Sequence, residues 1–245
     1  MDVAQYAKMA SEEDHHWWFA GRREILRSLL ATHLHPHSAR RLLDVGCGTG
    51  GNFPLLAQFG AVEGADASPD AIRFAAERCP DLKIHRAMLP DVVPDGPWDA
   101  ITAFDVIEHL DEPIACLRAL AGQLAGDGQI VITVPAYQFL WSEHDVVHHH
   151  KRRYTRELLA TQLAEAGLRQ TYATHFNTLL LPAIAGVRLL QHVLPRRGGT
   201  DGGDLKETGG LANRLLARLF ASERFALRVA RLPAGVSIFA IAQRG

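Results

Sequence analysis

The 245-residue sequence carries little net charge and little cysteine. Its 26 Lys+Arg and 27 Asp+Glu leave a formal charge of −1. No global field would therefore recruit nucleic acid or an anionic membrane, and any partner must be recognised locally. The three cysteines, Cys47, Cys79 and Cys116, are widely spaced and form no CxxC pair, which argues against a disulfide framework and a zinc site. A reducing cytoplasm is the expected location.

Long apolar runs and targeting signals are also missing. The longest apolar stretch, 179–194, is about 16 residues and contains Pro182 and Arg188, so it is shorter than the ~20 residues that span a bilayer. We expect a buried or amphipathic helix there and no integral membrane segment. Residues 1–18 are acidic and aromatic and lack the basic-then-apolar order of a secretory signal.

Strand-length apolar runs alternate with helical patterns between residues 41 and 134, which predicts a parallel sheet covered by helices. The predicted strands are 41–45, 62–66, 82–86, 99–104 and 129–134. The predicted helices between them are 51–59, 69–78 and 113–124, the second with Ser68 as its N-cap.

A His- and aromatic-rich insertion, 136–154, breaks this pattern and is long enough to be a functional loop. A helix from Thr155 to Gly167, a strand at 168–176, helices at 179–194 and 211–232 and a final strand at 236–242 follow. The Gly-rich segment 196–210 is expected to be a mobile linker. We predict one domain, with an N-terminal helical lid (1–38), a core (39–176), a helical cap (177–235) and a last strand (236–245).

The most informative stretch is a strand that runs into a glycine turn and then a helix, with glycine at positions 46, 48, 50 and 51. Such a turn lets a ligand lie against bare main chain, and the helix N-terminus offers free amides. Gly46, Gly48 and Gly51 also satisfy the G-x-G-x-x-G pattern, so an NAD(P)-dependent oxidoreductase is one alternative.

Two carboxylates bear on that alternative. Asp44, two residues before Gly46, would repel a pyrophosphate but would suit a cationic ligand. Asp66 ends the second predicted strand, where an acidic residue accepts hydrogen bonds from ribose hydroxyls in nucleoside-binding sheets. The two together indicate a ligand with a ribose and a positive charge.

Three ordered motifs carry a family resemblance: LDVGCGTG at 43–50, GADAS at 64–68 and DVIEH at 105–109. Together they resemble the class I S-adenosylmethionine-dependent methyltransferases, in the small-molecule group that includes type 11 and ubiquinone-pathway enzymes, over residues 16–176. The resemblance implies an α/β, Rossmann-like, seven-stranded, mainly parallel sheet whose last strand is antiparallel beside 168–176. It also implies methyl transfer to a small-molecule acceptor, with O-methylation expected and S-adenosylhomocysteine as product. A non-catalytic S-adenosylmethionine-binding protein is the remaining alternative.

The resemblance also implies a cofactor site. The glycines would pack under the methionine and ribose, Asp44 would lie near the amino group, and Asp66 would bind the ribose. Adenine would lie at 87–89 and be recognised by the Met88 main chain and by apolar contact, because the family's common Asp is absent there; Asp91 is a weaker alternative. The implied cofactor-binding residues are Arg22, Asp44, Gly46, Cys47, Gly48, Gly50, Asp66, Ala67, Ala87, Met88, Leu89, Phe104, Asp105 and His109.

The segment from Asp105 to His109 has two interpretations. If it is helical, Asp105, Glu108 and His109 share one face and could ligate a cation, and similar segments in ubiquinone-pathway O-methyltransferases are associated with a metal. In the other interpretation, the Glu108 carboxylate accepts hydrogen bonds from backbone amides. The sequence does not decide whether a metal ion binds here.

The leader and the insertion resemble two further segments of the same methyltransferase group. In the leader, HHWWFAGRR (15–23), Arg22 would clamp the methionine carboxylate. Four histidines lie between 144 and 150, but consecutive side chains point in different directions, so a transition-metal site is not expected.

The insertion resembles the family's HDxxxxHxRRYT loop. His144 or His109 is the expected general base, with Tyr154 and Arg152 orienting the acceptor. The alternative is a network, with Arg152 pairing with Asp145, that merely orders the loop. The apolar faces of the last two helices permit a hydrophobic or lipid-linked acceptor.

Overall fold

The structure, a computed structural model, describes residues 3–34, 37, 39–193 and 210–245. Its strands are β1 (Arg41–Val45), β2 (Ala61–Asp66), β3 (Ile84–Arg86), β4 (Trp98–Phe104), β5 (Leu124–Pro135), β6 (Leu168–Phe176) and β7 (Ser237–Arg244). Its helices are α1 (Val3–Glu12), α2 (Trp17–His33), α3 (Phe53–Leu56), α4 (Pro69–Arg78), α5 (Pro113–Gly122), α6 (Glu143–Val147), α7 (Arg156–Glu165), α8 (Leu181–Val193) and α9 (Gly210–Leu227). Two 3₁₀ turns cover Ile107–His109 and Gln138–Leu140.

The seven strands form one sheet in the order β3-β2-β1-β4-β5-β7-β6. Strands β1 to β5 pair in parallel, and β7 lies antiparallel between β5 and β6. The predicted fold, including the position of the last strand, is confirmed. The chain order reverses between β1 and β4, so a crevice opens at their carboxyl ends, where ligands bind in such sheets.

Both faces of the sheet are covered, as the apolar runs of its central strands require. One buried cluster joins the sheet to α5 and α7 through residues such as Leu117 and Leu159. The other joins it to α2 and α9 through residues such as Ile25 and Phe220. Within the described ranges, no helix combines the length and apolarity needed to cross a bilayer.

Several element boundaries differ from the predicted ones. Helix α3 is a single turn rather than 51–59, because the glycine turn takes up the residues before it and Asn52 is its N-cap. Strand β5 begins at Leu124 rather than at 129, and α5 correspondingly ends at Gly122. Helix α4 matches its prediction, and Ser68 Oγ accepts from Ala71 N at 3.4 Å.

The last two helices are close to their predicted positions. Helix α9 ends at Leu227 rather than at 232 and packs along α2. The predicted mobile linker, 196–210, lies outside the described residues except for Gly210, the first residue of α9.

Candidate functional site

The glycine turn after β1 is held open toward the crevice by left-handed backbone. Gly46, Gly48 and Gly50 have φ of +66°, +55° and +80°, and a Cβ on Gly46 would lie 2.5 Å from Val106 Cγ2. Glycine is therefore required here by both backbone conformation and space. The amides of Gly46 and Cys47 donate to the Ala65 carbonyl at 2.7 and 3.1 Å, which fixes the turn to β2.

Asp66, at the end of β2, organises this turn. Its Oδ2 accepts from Gly48 N and its Oδ1 from Ser68 N, each at 2.9 Å. The exposed Ala67 lies between Asp66 and Ser68. A carboxylate oxygen accepts more than one hydrogen bond, so Asp66 retains capacity for ribose hydroxyls. Its structural role could not be predicted from the sequence, because Gly48 lies 18 residues away.

Asp44 is buried beside the turn, with 1% of its surface exposed. Its Oδ1 accepts from the Thr102 hydroxyl at 2.6 Å, whereas no described residue hydrogen-bonds the buried Oδ2. Burial raises the pKa of Asp44 to about 7, and the Thr102 hydrogen bond and nearby Arg22 counteract this. A buried carboxylate oxygen without a donor fits a cationic amino group.

Arg22 extends from α2 to the carboxyl end of β4. Its Nη2 donates to Asp105 Oδ2 at 2.6 Å and to Thr133 Oγ1 at 2.9 Å. The rings of Trp18 and Phe104 lie 5.2 and 5.7 Å from the guanidinium carbon. Arg22 Nη2 is thus paired within the protein, while the buried Nε has no acceptor among the described residues. That N–H remains for the predicted contact with a ligand carboxylate.

The adenine prediction requires correction at Met88. Its amide donates to the Val92 carbonyl at 3.0 Å, and its carbonyl accepts from Val92 N at 2.7 Å. The Met88 amide is therefore already used, although its side chain is exposed. Ala87 N likewise donates to the Asp66 carbonyl at 2.9 Å. Apolar contact with the 87–89 segment, including Leu89, remains for an adenine ring.

The N-terminal segment that contains α1 and Glu13 contributes residues that no sequence motif predicted. The Glu13 carboxylate accepts from the Thr49 hydroxyl and lies 3.4 Å from Arg78, and burial raises its pKa. A Cβ on Gly48 would lie 3.2 Å from Met9 Cε. The segment around α1 thus lies against the glycine turn, and no local sequence signal distinguishes these contacts from an ordinary amphipathic helix.

The DVIEH segment does not form the predicted helical face. Asp105 has φ +57° and precedes the 3₁₀ turn, so it points to Arg22 rather than alongside Glu108 and His109. Glu108 is fully buried, and neither of its carboxylate oxygens has a partner among the described residues. Burial and the Asp105 charge hold the Glu108 pKa well above its usual range. The role suggested for Glu108 in satisfying backbone amides is therefore not supported.

Four histidines converge beside Glu108, contrary to the expected divergence of the histidine tract. Ring centroids are 4.7 Å apart for His109 and His150, 4.2 Å for His144 and His148, and 6.0 Å for His144 and His150. We call these four residues the histidine cluster. Burial lowers the pKa of His109 to about 4 and that of His144 to about 3, so both rings are neutral at pH 7.

Three members of this region could hold a cation. One ligand atom each of Glu108, His109 and His150 lies within 4.8 Å of the others. An imidazole-rich set with one carboxylate suits a borderline divalent ion such as Zn²⁺. Asp105, which the sequence grouped with Glu108 and His109, is not part of this set.

The insertion is anchored by Asp145, but its arginine partner is Arg153 rather than Arg152. Arg153 Nε and Nη2 donate to Asp145 Oδ1 and Oδ2, and His150 Nδ1 lies 2.8 Å from Oδ1. These donors hold the Asp145 pKa well below its usual range. The buried network therefore orders the loop, as one alternative predicted.

The two residues predicted to orient the acceptor have structural contacts instead. Arg152 donates to the carbonyls of Leu110 and Asp111 at 2.9 and 3.2 Å. Tyr154 is fully buried, and its hydroxyl donates to the Ile107 carbonyl at 3.4 Å. We therefore leave Arg152 and Tyr154 out of the proposed acceptor site.

The sheet has a glycine turn after β1, a carboxylate at the end of β2 and, beside the turn, a buried Asp44 oxygen without a donor among the described residues. These features fit a site for a nucleoside cofactor. The model of the methyltransferase domain family matches residues 17–173, and the chain belongs to that family. This family agrees with the resemblance that the three motifs carry.

Curated relatives match part of the chain. A ubiquinone biosynthesis O-methyltransferase of Albidiferax ferrireducens is 31% identical over 135 residues, 49% of this chain and 53% of that protein. A dTDP-3-amino-3,6-dideoxy-alpha-D-glucopyranose N,N-dimethyltransferase of Streptomyces fradiae is 37% identical over 103 residues, 40% of each chain. The chain spans about half the length of the curated relatives it matches.

Solved structures share the fold. A SAM dependent methyltransferase from Archaeoglobus fulgidus aligns with a TM-score of 0.56 and 20% identity, covering 94% of this chain and 96% of that one. Geranyl diphosphate C-methyltransferase from Streptomyces coelicolor, in complex with Mg²⁺, geranyl-S-thiolodiphosphate and S-adenosyl-L-homocysteine, aligns with a TM-score of 0.60 and 16% identity, covering 90% and 75%. At such identities the likeness shows the fold alone.

Proposed function

We propose that this methyltransferase methylates a hydroxyl oxygen of a small-molecule acceptor, with His109 as general base. The observation that carries the proposal is the position of His109 in the 3₁₀ turn that follows β4 and Asp105, where burial lowers its pKa to about 4. Reactive centres in such sheets lie outside this edge. The ubiquinone biosynthesis O-methyltransferase relatives support an oxygen acceptor, while the aminosugar N,N-dimethyltransferase makes an amine the second candidate.

The residues at the switch point fit S-adenosylmethionine. Asp44 Oδ2 and Arg22 Nε are buried atoms without a hydrogen-bond partner among the described residues, and they match the amino group and carboxylate of an amino acid. Asp66 would bind the ribose, and the 87–89 segment would contact adenine. The bound cofactor supplies an electrophilic methyl group on a sulfonium, so the protein need only position the acceptor and remove its proton.

His109 is the better of the two base candidates. His109 lies in the same segment as Asp105, whereas burial lowers the pKa of His144 further, to about 3, and the His144 ring packs against His148. An imidazole nitrogen of His109 would accept the hydroxyl proton as the acceptor oxygen takes the methyl group. The His150 ring, edge-on to His109, would fix its orientation.

The same imidazole belongs to the possible cation site. The orphaned oxygens of Glu108 fit a metal ion there, and a bound ion would polarise a ligated acceptor oxygen. Ligation would occupy a nitrogen of His109. A nitrogen of His109 that ligates a metal ion cannot also accept a proton, so the two roles exclude each other. We propose that the unligated His109 imidazole acts as the base.

Ligand-dependent melting and product formation test the proposal. S-adenosylhomocysteine should raise the melting temperature and NAD(H) should not, because a saturating ligand stabilises the state that binds it. S-adenosylmethionine should then yield S-adenosylhomocysteine with a catechol or another hydroxylated acceptor. Stabilisation by NAD(H) alone would favour an oxidoreductase, and cofactor binding without turnover on hydroxyl or amine acceptors would favour a non-catalytic protein. The three free cysteines support action in a reducing cytoplasm.

A further inference from the structure

Exposed apolar side chains are unevenly distributed over this protein. Nine of the fifteen large exposed hydrophobic side chains in the described part of the chain lie between residues 179 and 229. They are Leu179, Val187, Leu189, Leu190, Leu211, Leu215, Leu219, Phe225 and Val229. Concentrated apolar surface of this kind marks a place where something else binds.

On α9 the exposed stripe is not the side that faces the core. The helix packs on α2 through the opposite side, where Phe220 is fully buried. Leu211, Leu215 and Leu219 follow one another at four-residue spacing and are 74%, 57% and 46% exposed. A helix that is apolar on its core side and on its outer side requires a second apolar environment.

The charged side chains beside this stripe are almost all cationic. Residues 210–232 contain five arginines and one acid, Glu223. Glu223 is buried and accepts from Leu179 N at 2.8 Å. Arg214 and Arg218 are exposed, and neither forms an ion pair within the ranges the structure describes. Leucines and arginines without an ion-pair partner among the described residues thus share one surface.

A groove of about 530 Å³ between α2 and α9 has the same character. Small and aromatic side chains line it together with three arginines: Ala20, Ala217, Ala221, Phe225, Arg23, Arg218 and Arg224. Its acid, Glu24, is paired with Arg224 at 2.9 Å. Arg23 donates to the Glu13 carbonyl, whereas Arg218 forms no ion pair within the described residues. An apolar lining that includes this guanidinium suits a phosphate headgroup that carries a hydrocarbon chain.

We propose that the α9 outer face, defined by Leu211, Arg214, Leu215, Arg218 and Leu219, docks onto the surface of an anionic lipid bilayer. The helix would lie in the interface plane, with leucines inserted and arginines at the lipid headgroups. The sequence as a whole is nearly neutral, so this attraction is local.

Two other occupants fit these residues less well. A second copy of the chain would bring one row of arginines against another, which like-charge repulsion opposes. A nucleic acid would use the arginines and leave the leucines in water. The proposal does not depend on the identity of the methyl acceptor.

Co-sedimentation of the full chain with vesicles tests the proposal. We expect about tenfold or greater preference for equimolar phosphatidylglycerol and phosphatidylcholine over phosphatidylcholine alone, weakening as salt is raised. The double variant L215Q/L219Q should reduce binding about tenfold. R214E/R218E should reduce it by about fivefold or more for each arginine and remove most of the salt dependence.

The matched control is V3Q/L158Q, which changes two exposed apolar side chains on other helices. It should bind vesicles like the wild type, and all variants should keep the wild-type far-UV circular dichroism. If a variant fails this check, the lipid preference and the salt dependence of vesicle binding by the wild type still test the proposal. Equal binding to both vesicle types, or equal losses in V3Q/L158Q and L215Q/L219Q, would overturn the proposal. So would a dimer in analytical ultracentrifugation that L215Q/L219Q dissociates.

Discussion

Arg153 holds both carboxylate oxygens of Asp145, with Nε to Oδ1 at 2.8 Å and Nη2 to Oδ2 at 2.9 Å, and both side chains are buried. A third Arg153 nitrogen, Nη1, donates to the Ala136 carbonyl at 3.2 Å. Arg153, near the end of the insertion, therefore binds both Ala136 at its start and Asp145 in its middle. The pair also positions His150, which shares Asp145 Oδ1.

The first prediction concerns this pair. Arg153→Ala leaves a buried carboxylate without its guanidinium and should lower the free energy of unfolding by about 3–5 kcal/mol. Arg152→Ala removes only hydrogen bonds to two carbonyls near the surface and should cost no more than about 1 kcal/mol. Urea denaturation of both variants measures the difference. Similar losses would show that the Asp145 anchor is not the source of the loop's stability.

The sequence predicted the placement of the residues around the glycine turn better than that of the residues in the insertion. The glycine turn, Asp44 and Asp66 are local to single strand ends, and parallel strands bring their carboxyl ends to one edge. The Arg22–Asp105 pair joins residues 83 positions apart, so no local pattern specifies it.

The histidine cluster illustrates a second limit. Its members come from a 3₁₀ turn and from α6 with the residues that follow it, and an i, i+3, i+4 pattern is meaningful only within one α-helix. The Asp145 pairing was assigned to the wrong one of two adjacent arginines, because adjacency in sequence does not reveal which side chain turns inward.

A second prediction concerns Asp66. Asp66→Asn replaces one accepting oxygen with an amide that cannot accept from Gly48 N or Ser68 N. S-adenosylhomocysteine affinity should fall more than about tenfold, and the free energy of unfolding should drop by about 1–3 kcal/mol. Isothermal titration calorimetry and thermal denaturation measure the two effects. Asp70→Asn, on the first turn of α4, is the matched control and should change neither. Undiminished affinity in Asp66→Asn would remove Asp66 from the cofactor site.

Asp44 should make cofactor affinity depend on pH. Because burial raises its pKa to about 7 and a cationic amino group favours the ionised form, binding must expel a proton below pH 7. The Kd for S-adenosylhomocysteine should therefore rise up to about tenfold per pH unit as pH falls below 7. Calorimetry between pH 5.5 and 8 checks this dependence, which Asp44→Asn should abolish.

Thr102→Val provides a directional control for Asp44. The Thr102 hydroxyl donates to Asp44 and lowers its pKa, so its loss should move the midpoint of the pH dependence upward. A midpoint that stays in place or moves downward would show that Asp44 is not the titrating group.

Zn²⁺ should bind between Glu108, His109 and His150 and should inhibit methyl transfer. Glu108, His109 and His150 can converge on one ion, and ligation would take the lone pair that a base requires. Added Zn²⁺ should raise the melting temperature of the wild type and lower its turnover, with recovery on chelation. His150→Gln should abolish the melting shift, whereas His149→Gln, at the exposed histidine of the tract, should retain it. Loss of activity on chelation of the purified enzyme would instead make the ion part of the catalytic machinery.

The last prediction tests His109 as the base. Its low pKa, caused by burial and by the neighbouring histidines, keeps the imidazole neutral at pH 7, so kcat at saturating S-adenosylmethionine should fall only as the pH drops toward about 4. His109→Gln should lower kcat by about 10²–10⁴-fold. Cofactor affinity should be unchanged, since a base acts in the transition state rather than in cofactor binding. His144→Gln, at the other imidazole, should lower kcat much less and separates the two candidates. A larger kcat loss in His144→Gln than in His109→Gln would transfer the assignment to His144, because both substitutions remove one buried imidazole from the same cluster.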